Sequence, residues 1–73
     1  MGSPSRAFKD RVFEQFARLG KALSSPKRLE LLDVLCQGPR TVEVLAEQTA
    51  MSVANTSQHL KALRSARLVE ASR

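Results

Sequence analysis

One stretch in the second half of the chain carries side chains with the chemistry to read base pairs. Asn55 and Gln58 have amides that donate and accept hydrogen bonds together, which is how such side chains recognise an adenine edge. Ser57 is short enough for a close phosphate contact, and Lys61 adds a cation on the same stretch. The stretch carries no carboxylate before Glu70. The alternative is a plain helix face that only contacts solvent. The sequence therefore predicts these DNA-binding residues: Ser52, Ala54, Asn55, Ser57, Gln58, His59, Lys61 and Arg64.

Two helices with a tight corner between them would position this polar face. Apolar or small residues recur at helical spacing on each side of the corner. They are Val42, Leu45, Ala46 and Thr49 in the first helix, and Val53, Thr56, Leu60 and Leu63 in the second. Ala50 allows a close turn, Met51 would fill the angle, and Ser52 is an N-cap for the second helix. His59 lies beside this buried face, so we expect either a groove-side or a packing role for it.

Helix start and stop signals along the chain predict four helices, near residues 6–23, 26–37, 42–48 and 53–65. Ser25 caps the second helix, with Pro26 at its first position, and Thr41 caps the third. Lys27 and Arg28 are expected on the solvent side of the second helix. Gly38 ends it and is able to adopt a left-handed cap. Residues 1–5 are expected to be loosely held, and Leu68–Ala71 to begin a short strand.

The first predicted helix has more apolar surface than one core face needs. Phe8, Val12, Phe16, Leu19 and Leu23 form one stripe, and a second stripe lies beside it. We therefore expect this helix to contact both its own core and a second copy of the chain. The alternative is a wide core face in a monomer. The predicted dimer interface comprises Phe8, Val12, Phe13, Phe16, Ala17 and Gly20.

Length and charge narrow the class of protein. A chain of 73 residues holds one small domain, and its formal net charge of +5 is typical of a polyanion binder. No apolar run is long enough to span a membrane, and no signal peptide is visible, so we expect a cytoplasmic protein. An enzyme is not expected, since Ser57 and His59 point to different sides of a helix and no Gly-rich loop is present. A helical module that only binds other proteins is the alternative function.

Three segments together resemble the ArsR-type family of bacterial winged helix-turn-helix repressors. They are ALSSPKRLELLDVL for the second helix, TVEVLAEQTAMS for the third, and ANTSQHLKALRSARLV for the fourth and its exit. The resemblance implies a mostly α-helical, sequence-specific DNA-binding domain that acts as a homodimer on double-stranded operator DNA. It implies a single partial domain over residues 1–73, because the family's wing and last helix are truncated here. The segment LGKALSSPKRLELLDVL also resembles that of family members in which this domain precedes a rhodanese-type sulfurtransferase domain.

The metal sites of the family do not carry over to this chain. Thiol-based sensors place cysteines at the start of the third helix, where this sequence has Thr41, Glu43 and Ala46. A soft-metal site needs two to four sulfur or imidazole ligands, and here Cys36 and His59 stand alone on different helices. We expect no metal and no cofactor. Cys36 is expected to be a small buried thiol, or else half of a dithiol or persulfide switch with its partner beyond Arg73.

Overall fold

The computed structural model describes residues 4–70, and the helices in this range match the predicted pattern. They are α1 (Pro4–Ala22), α2 (Pro26–Cys36), α3 (Val42–Gln48) and α4 (Val53–Ser65). Each boundary lies within two residues of the predicted one. The largest difference is at the start of α1, which takes in Pro4 and Ser5 from the segment expected to be loose. Proline is compatible with a first helical turn because its missing N–H has no helical partner there; residues 1–3 lie outside the described part.

Hydroxyl side chains cap three of the helices, as the sequence predicts. Ser25 Oγ accepts from the backbone N–H of Arg28 at 3.5 Å, at the start of α2. Thr41 Oγ1 accepts from the N–H of Val44 at 3.2 Å, at the start of α3. These caps satisfy N–H groups that the first turn leaves free, so the short helices begin at defined residues.

The corner between α3 and α4 is a left-handed cap built on alanine. Ala50 has φ 55°, its N–H donates to Glu47 O, and the N–H of Met51 donates to Ala46 O. This pair of bonds is the Schellman motif, and it turns the chain sharply after α3. Met51 then packs against the core, as predicted.

The end of α4 repeats this motif, whereas the end of α2 does not. Arg67 has φ 60°, and the N–H of Leu68 donates to Leu63 O at 2.9 Å. Gly38 has φ 140°, which is favourable for glycine but lies outside the left-handed helical region that the sequence predicted.

The core lies where α2, α3 and α4 meet the end of α1. Its buried apolar side chains are Ala22, Leu31, Leu45, Leu60 and Leu63. Thr49 and Thr56 are also buried, and their hydroxyls donate to backbone oxygens one turn earlier, so burial leaves no polar atom unpaired. Val53 does not join the core as predicted. It is 46% exposed, because the first residue of α4 projects past the end of the packed helices.

The first helix contributes far less to the core than predicted. Only Ala22 is buried, and Leu19 and Leu23 each remain 37% exposed. Phe8, Phe13 and Phe16 are 61%, 58% and 64% exposed. The alternative of a wide core face in a monomer is therefore wrong. These rings are exposed because α1 contacts the other helices only near its C-terminal end. The rest of α1 extends beyond them, along a molecule 50 Å long.

The expected strand is absent from the described residues that follow α4. Leu68 and Val69 pack against the core instead, in a bend that follows the turn at Ala66 and Arg67. A strand needs a neighbouring strand to pair with, and residues 4–70 contain none. Ala71, the last residue of the predicted strand, lies outside the described part.

Candidate nucleic-acid interface

The exposed face of α4 is held outward by three buried residues on the opposite side. Thr56, Leu60 and Leu63 are buried against the other helices. At about 100° per residue, a set of polar and small side chains lies on the far side of α4. They are Ala54, Ser57, Gln58 and Lys61, all exposed, with Asn55 on one flank and Arg64 on the other. The structure therefore brings most of the predicted DNA-binding residues onto one continuous surface.

The N-terminal end of this surface is capped, and the side-chain amides beside it are available. Ser52 Oγ accepts from the backbone N–H of Asn55 at 3.0 Å, so this hydroxyl is used as the cap. The side chains of Asn55 and Gln58 make no hydrogen bond within the described residues. Two amides with free donors and acceptors can each form paired hydrogen bonds to a base edge.

The corner that sets the angle of α4 is tied to α2. The ammonium of Lys27 donates to the carbonyl oxygen of Thr49, the last residue before the left-handed Ala50. Lys27 also lies 3.6 Å from the Glu30 carboxylate. The helix-turn-helix unit is thus attached to the preceding helix by a side chain that the sequence pattern placed in solvent.

His59 lies away from the exposed face and contacts α2. Its Nδ1 accepts a 3.0 Å hydrogen bond from Nε of Arg28, and the ring is half-buried. Of the two roles expected for this residue, the structure places it in the packing position. Arg28 itself was expected in solvent. Helical spacing gives no signal for it, since the contact joins residues 31 positions apart.

Arg64 borders an open groove between α4 and the two helices before it. The groove has a volume of about 450 Å³. Leu35, Val42, Leu45 and Leu60 form part of its wall, and Arg64 stands beside them. Arg64 is exposed, so its guanidinium can reach an anion next to α4, at the edge of the face that carries Lys61.

The predicted dimer residues lie together on α1, far from this surface. Val12 is half-buried, and Phe8, Phe13, Phe16, Ala17 and Gly20 are exposed. A Cβ added at Gly20 would meet nothing within 4 Å, so no contact inside the chain requires glycine there. A surface with three exposed Phe rings is typical of an interaction site.

Cys36 is not the buried thiol that the sequence predicts. It is exposed at the last residue of α2 rather than buried, because Leu35 and not Cys36 is the residue that turns toward the core there. Within residues 4–70 no three His, Cys, Asp or Glu side chains converge as metal ligands would. In the same range, no helix has the length and apolar character to cross a membrane.

Comparison with known proteins agrees with this architecture. Residues 25–71 match the family model described as "Bacterial regulatory protein, arsR family". The chain is 44% identical to the homodimeric winged helix-turn-helix DNA-binding domain of Mb0332 from Mycobacterium bovis, solved by solution NMR. The two structures superpose with a TM-score of 0.85 over 99% of this chain and 64% of that one.

Two curated transcriptional regulators are also similar. The chain is 48% identical over 62 residues to the HTH-type transcriptional regulator Rv0324 of Mycobacterium tuberculosis, covering 85% of this chain and 27% of Rv0324. It is 43% identical over 61 residues to the HTH-type transcriptional regulator YgaV of Escherichia coli, covering 82% of this chain and 62% of YgaV. The chain therefore spans about a quarter of one relative and less than two thirds of the other.

Proposed function

We propose that this chain, which belongs to the arsR family of bacterial regulatory proteins, binds operator DNA through the exposed face of α4 and regulates transcription. The fold is that of a winged helix-turn-helix domain, of which residues 4–70 hold four helices. The proposed activity is binding, without an enzymatic step, in the cytoplasm.

The observation that carries the proposal is the combination of chemistry and support on α4. Asn55 and Gln58 have unused amides on a helix with no carboxylate, while Thr56 and Leu60 fix the helix from behind. Each paired contact to a base contributes about 1–3 kcal/mol of discrimination between base pairs. Lys61 would hold a backbone phosphate, which adds affinity without sequence preference.

The proposal includes a homodimer formed through α1. Phe8, Phe13 and Phe16 expose a large apolar surface that water solvates poorly, and a second copy would cover it. The homodimeric domain of Mb0332 supports this arrangement. Two copies would then read two half-sites about 34–36 Å apart.

The test measures binding to an operator and to an unrelated duplex as salt is raised. Gln58→Ala should reduce the preference for the operator, because it removes a base contact. Lys61→Ala should weaken both duplexes alike and reduce the salt slope by about one. A suitable operator can be selected from random duplexes with the dimeric protein.

Matched controls separate these effects from general ones. Gln37→Ala removes an exposed amide at the end of α2, and Arg11→Ala removes one positive charge from α1. Neither should alter sequence preference. If Gln58→Ala and Gln37→Ala behaved alike, or if binding did not depend on salt, DNA reading by α4 would be disproved.

A further inference from the structure

A second concave site, away from the DNA-reading face, is lined by three cations. Arg18 and Lys21 come from the end of α1, and Arg28 comes from the first turn of α2. No carboxylate lines this site. We call it the basic cavity.

The floor of the basic cavity is made of small side chains. Ala22, Ala62 and Ala66 leave a volume of about 270 Å³, and Ser65 adds a hydroxyl at the wall. This volume lies just below the range of pockets that hold drug-sized molecules, so a small ligand with one charged group would fit. The alanines account for the space, because longer side chains there would fill it.

One of the three cations is already held in place. Arg28 donates from Nη1 to Lys21 O at 2.9 Å and from Nε to His59 Nδ1 at 3.0 Å. Neither acceptor is a carboxylate, so these two contacts leave the guanidinium without an anionic partner. A fixed guanidinium loses little conformational entropy on binding and presents a planar fork suited to phosphate.

The other two cations also lack a carboxylate partner within the described residues. Neither Arg18 nor Lys21 makes an ion pair there. Like charges that line one cavity repel one another, and an anion bound among them would remove this cost. The site is thus electrostatically complementary to a group with more than one negative charge.

The proposed dimer would leave the basic cavity open. At about 100° per residue, Arg18 lies about 200° and Lys21 about 140° around α1 from Phe16. Arg18 and the Phe surface are therefore on different sides of the same helix, so the cavity stays open on its Arg18 side. Lys21 lies about 40° from Ala17, at the edge of the predicted interface.

We propose that the basic cavity binds a small phosphate-bearing ligand, distinct from the DNA backbone. Nη2 of Arg28 makes no hydrogen bond within the described residues and would donate to the phosphate oxygens, while Nε and Nη1 keep their contacts to His59 and Lys21. Arg18 and Lys21 would neutralise the second charge, and Ser65 Oγ would donate to a remaining oxygen. Because α1, α2 and α4 all line the cavity, the ligand would link the dimerisation helix to the DNA-reading helix.

The experiment titrates inorganic phosphate into the ¹⁵N-labelled chain and follows backbone amides by NMR at constant ionic strength. Saturable shifts are expected at Lys21, Ala22 and Arg28, and chloride should not reproduce them. Arg18→Ala should weaken phosphate binding about tenfold, as expected for one charge-assisted hydrogen bond. Arg11→Ala is the matched control, since Arg11 lies seven residues earlier on the same side of α1 but does not line the cavity; it should change affinity by less than about twofold.

A second arm distinguishes a free phosphate ligand from the phosphates of DNA. The same titration is repeated with the chain saturated by duplex DNA, and phosphate should still shift Lys21 and Ala22. The proposal is overturned if DNA abolishes those shifts, if chloride produces them, or if Arg18→Ala and Arg11→Ala weaken phosphate binding equally.

Discussion

Nε of Arg28 in α2 donates a 3.0 Å hydrogen bond to Nδ1 of His59 in α4, and Nη1 of the same guanidinium donates to Lys21 O at the end of α1. One side chain therefore joins three helices. The carbonyl of Lys21 lies in the last turn of α1 and also accepts from the N–H and the hydroxyl of Ser24, so the Arg28 contact adds to the C-terminal cap of that helix. This junction links α1, with its Phe surface, to α4, the proposed DNA-reading helix.

We expect Arg28→Lys to destabilise the fold, because a single ammonium lacks the fork that reaches both acceptors. The loss of one hydrogen bond between half-buried groups should lower the free energy of unfolding by about 1 kcal/mol. Urea unfolding at one protein concentration would measure it. The control is Arg11→Lys, whose position is exposed on α1; equal midpoints for the two variants would contradict a role for the junction.

At the left-handed corner before α4, a change to glycine should stabilise the fold. Ala50 has φ 55°, a conformation that costs a residue with a Cβ more than it costs glycine. Ala50→Gly should therefore stabilise the fold by about 0.5–1 kcal/mol, even though glycine usually destabilises. Ala62→Gly, in the interior of α4, should lower stability by about 1 kcal/mol. Thermal unfolding of both variants tests the corner, and a loss of stability in both would show that it does not favour glycine.

Two leucines on the same helix should respond very differently to truncation. Leu31 is fully buried, whereas Leu29 is 49% exposed. Leu31→Ala should lower the free energy of unfolding by about 2–5 kcal/mol, a large part of the stability of a domain of this size. Leu29→Ala should cost less than about 1 kcal/mol, because much of its side chain is already in water. Circular dichroism during urea titration would compare them, and similar losses would mean that α2 packs through a different face.

The proposed dimer depends on the Phe side chains of α1. The double variant Phe13→Ala/Phe16→Ala should sediment as a monomer at concentrations where the unaltered chain is dimeric, since both rings contribute apolar area to the interface. Its helix content should persist, because these rings are 58% and 64% exposed in one chain. Val44→Ala, a change at an exposed apolar residue of α3, is the control and should leave the dimer intact. A monomeric unaltered chain would refute the dimer for this segment.

Residues close together in the chain were predictable because their interactions are local. Ser25, Thr41 and Ser52 cap helices through bonds that span three residues, and helical spacing identified Leu45, Leu60 and Leu63 as core. The motifs that resemble the ArsR-type family predicted the winged helix-turn-helix fold, which the comparisons confirm. The assignment of individual DNA-binding residues, and the similarity to rhodanese-linked members, stay predictions.

Only the tertiary structure decided which apolar side chains leave the core and which cations enter shared sites. Spacing marks the apolar side of a helix, but it cannot say how far another helix covers that side. Val53 and the Phe residues of α1 are therefore exposed even though they follow the core pattern. Arg28 donates to His59 across 31 residues, and Arg18 and Arg28 line one cavity although they lie in different helices. Such contacts depend on the angles between helices, which are set by the packing of the whole core and not by any single segment.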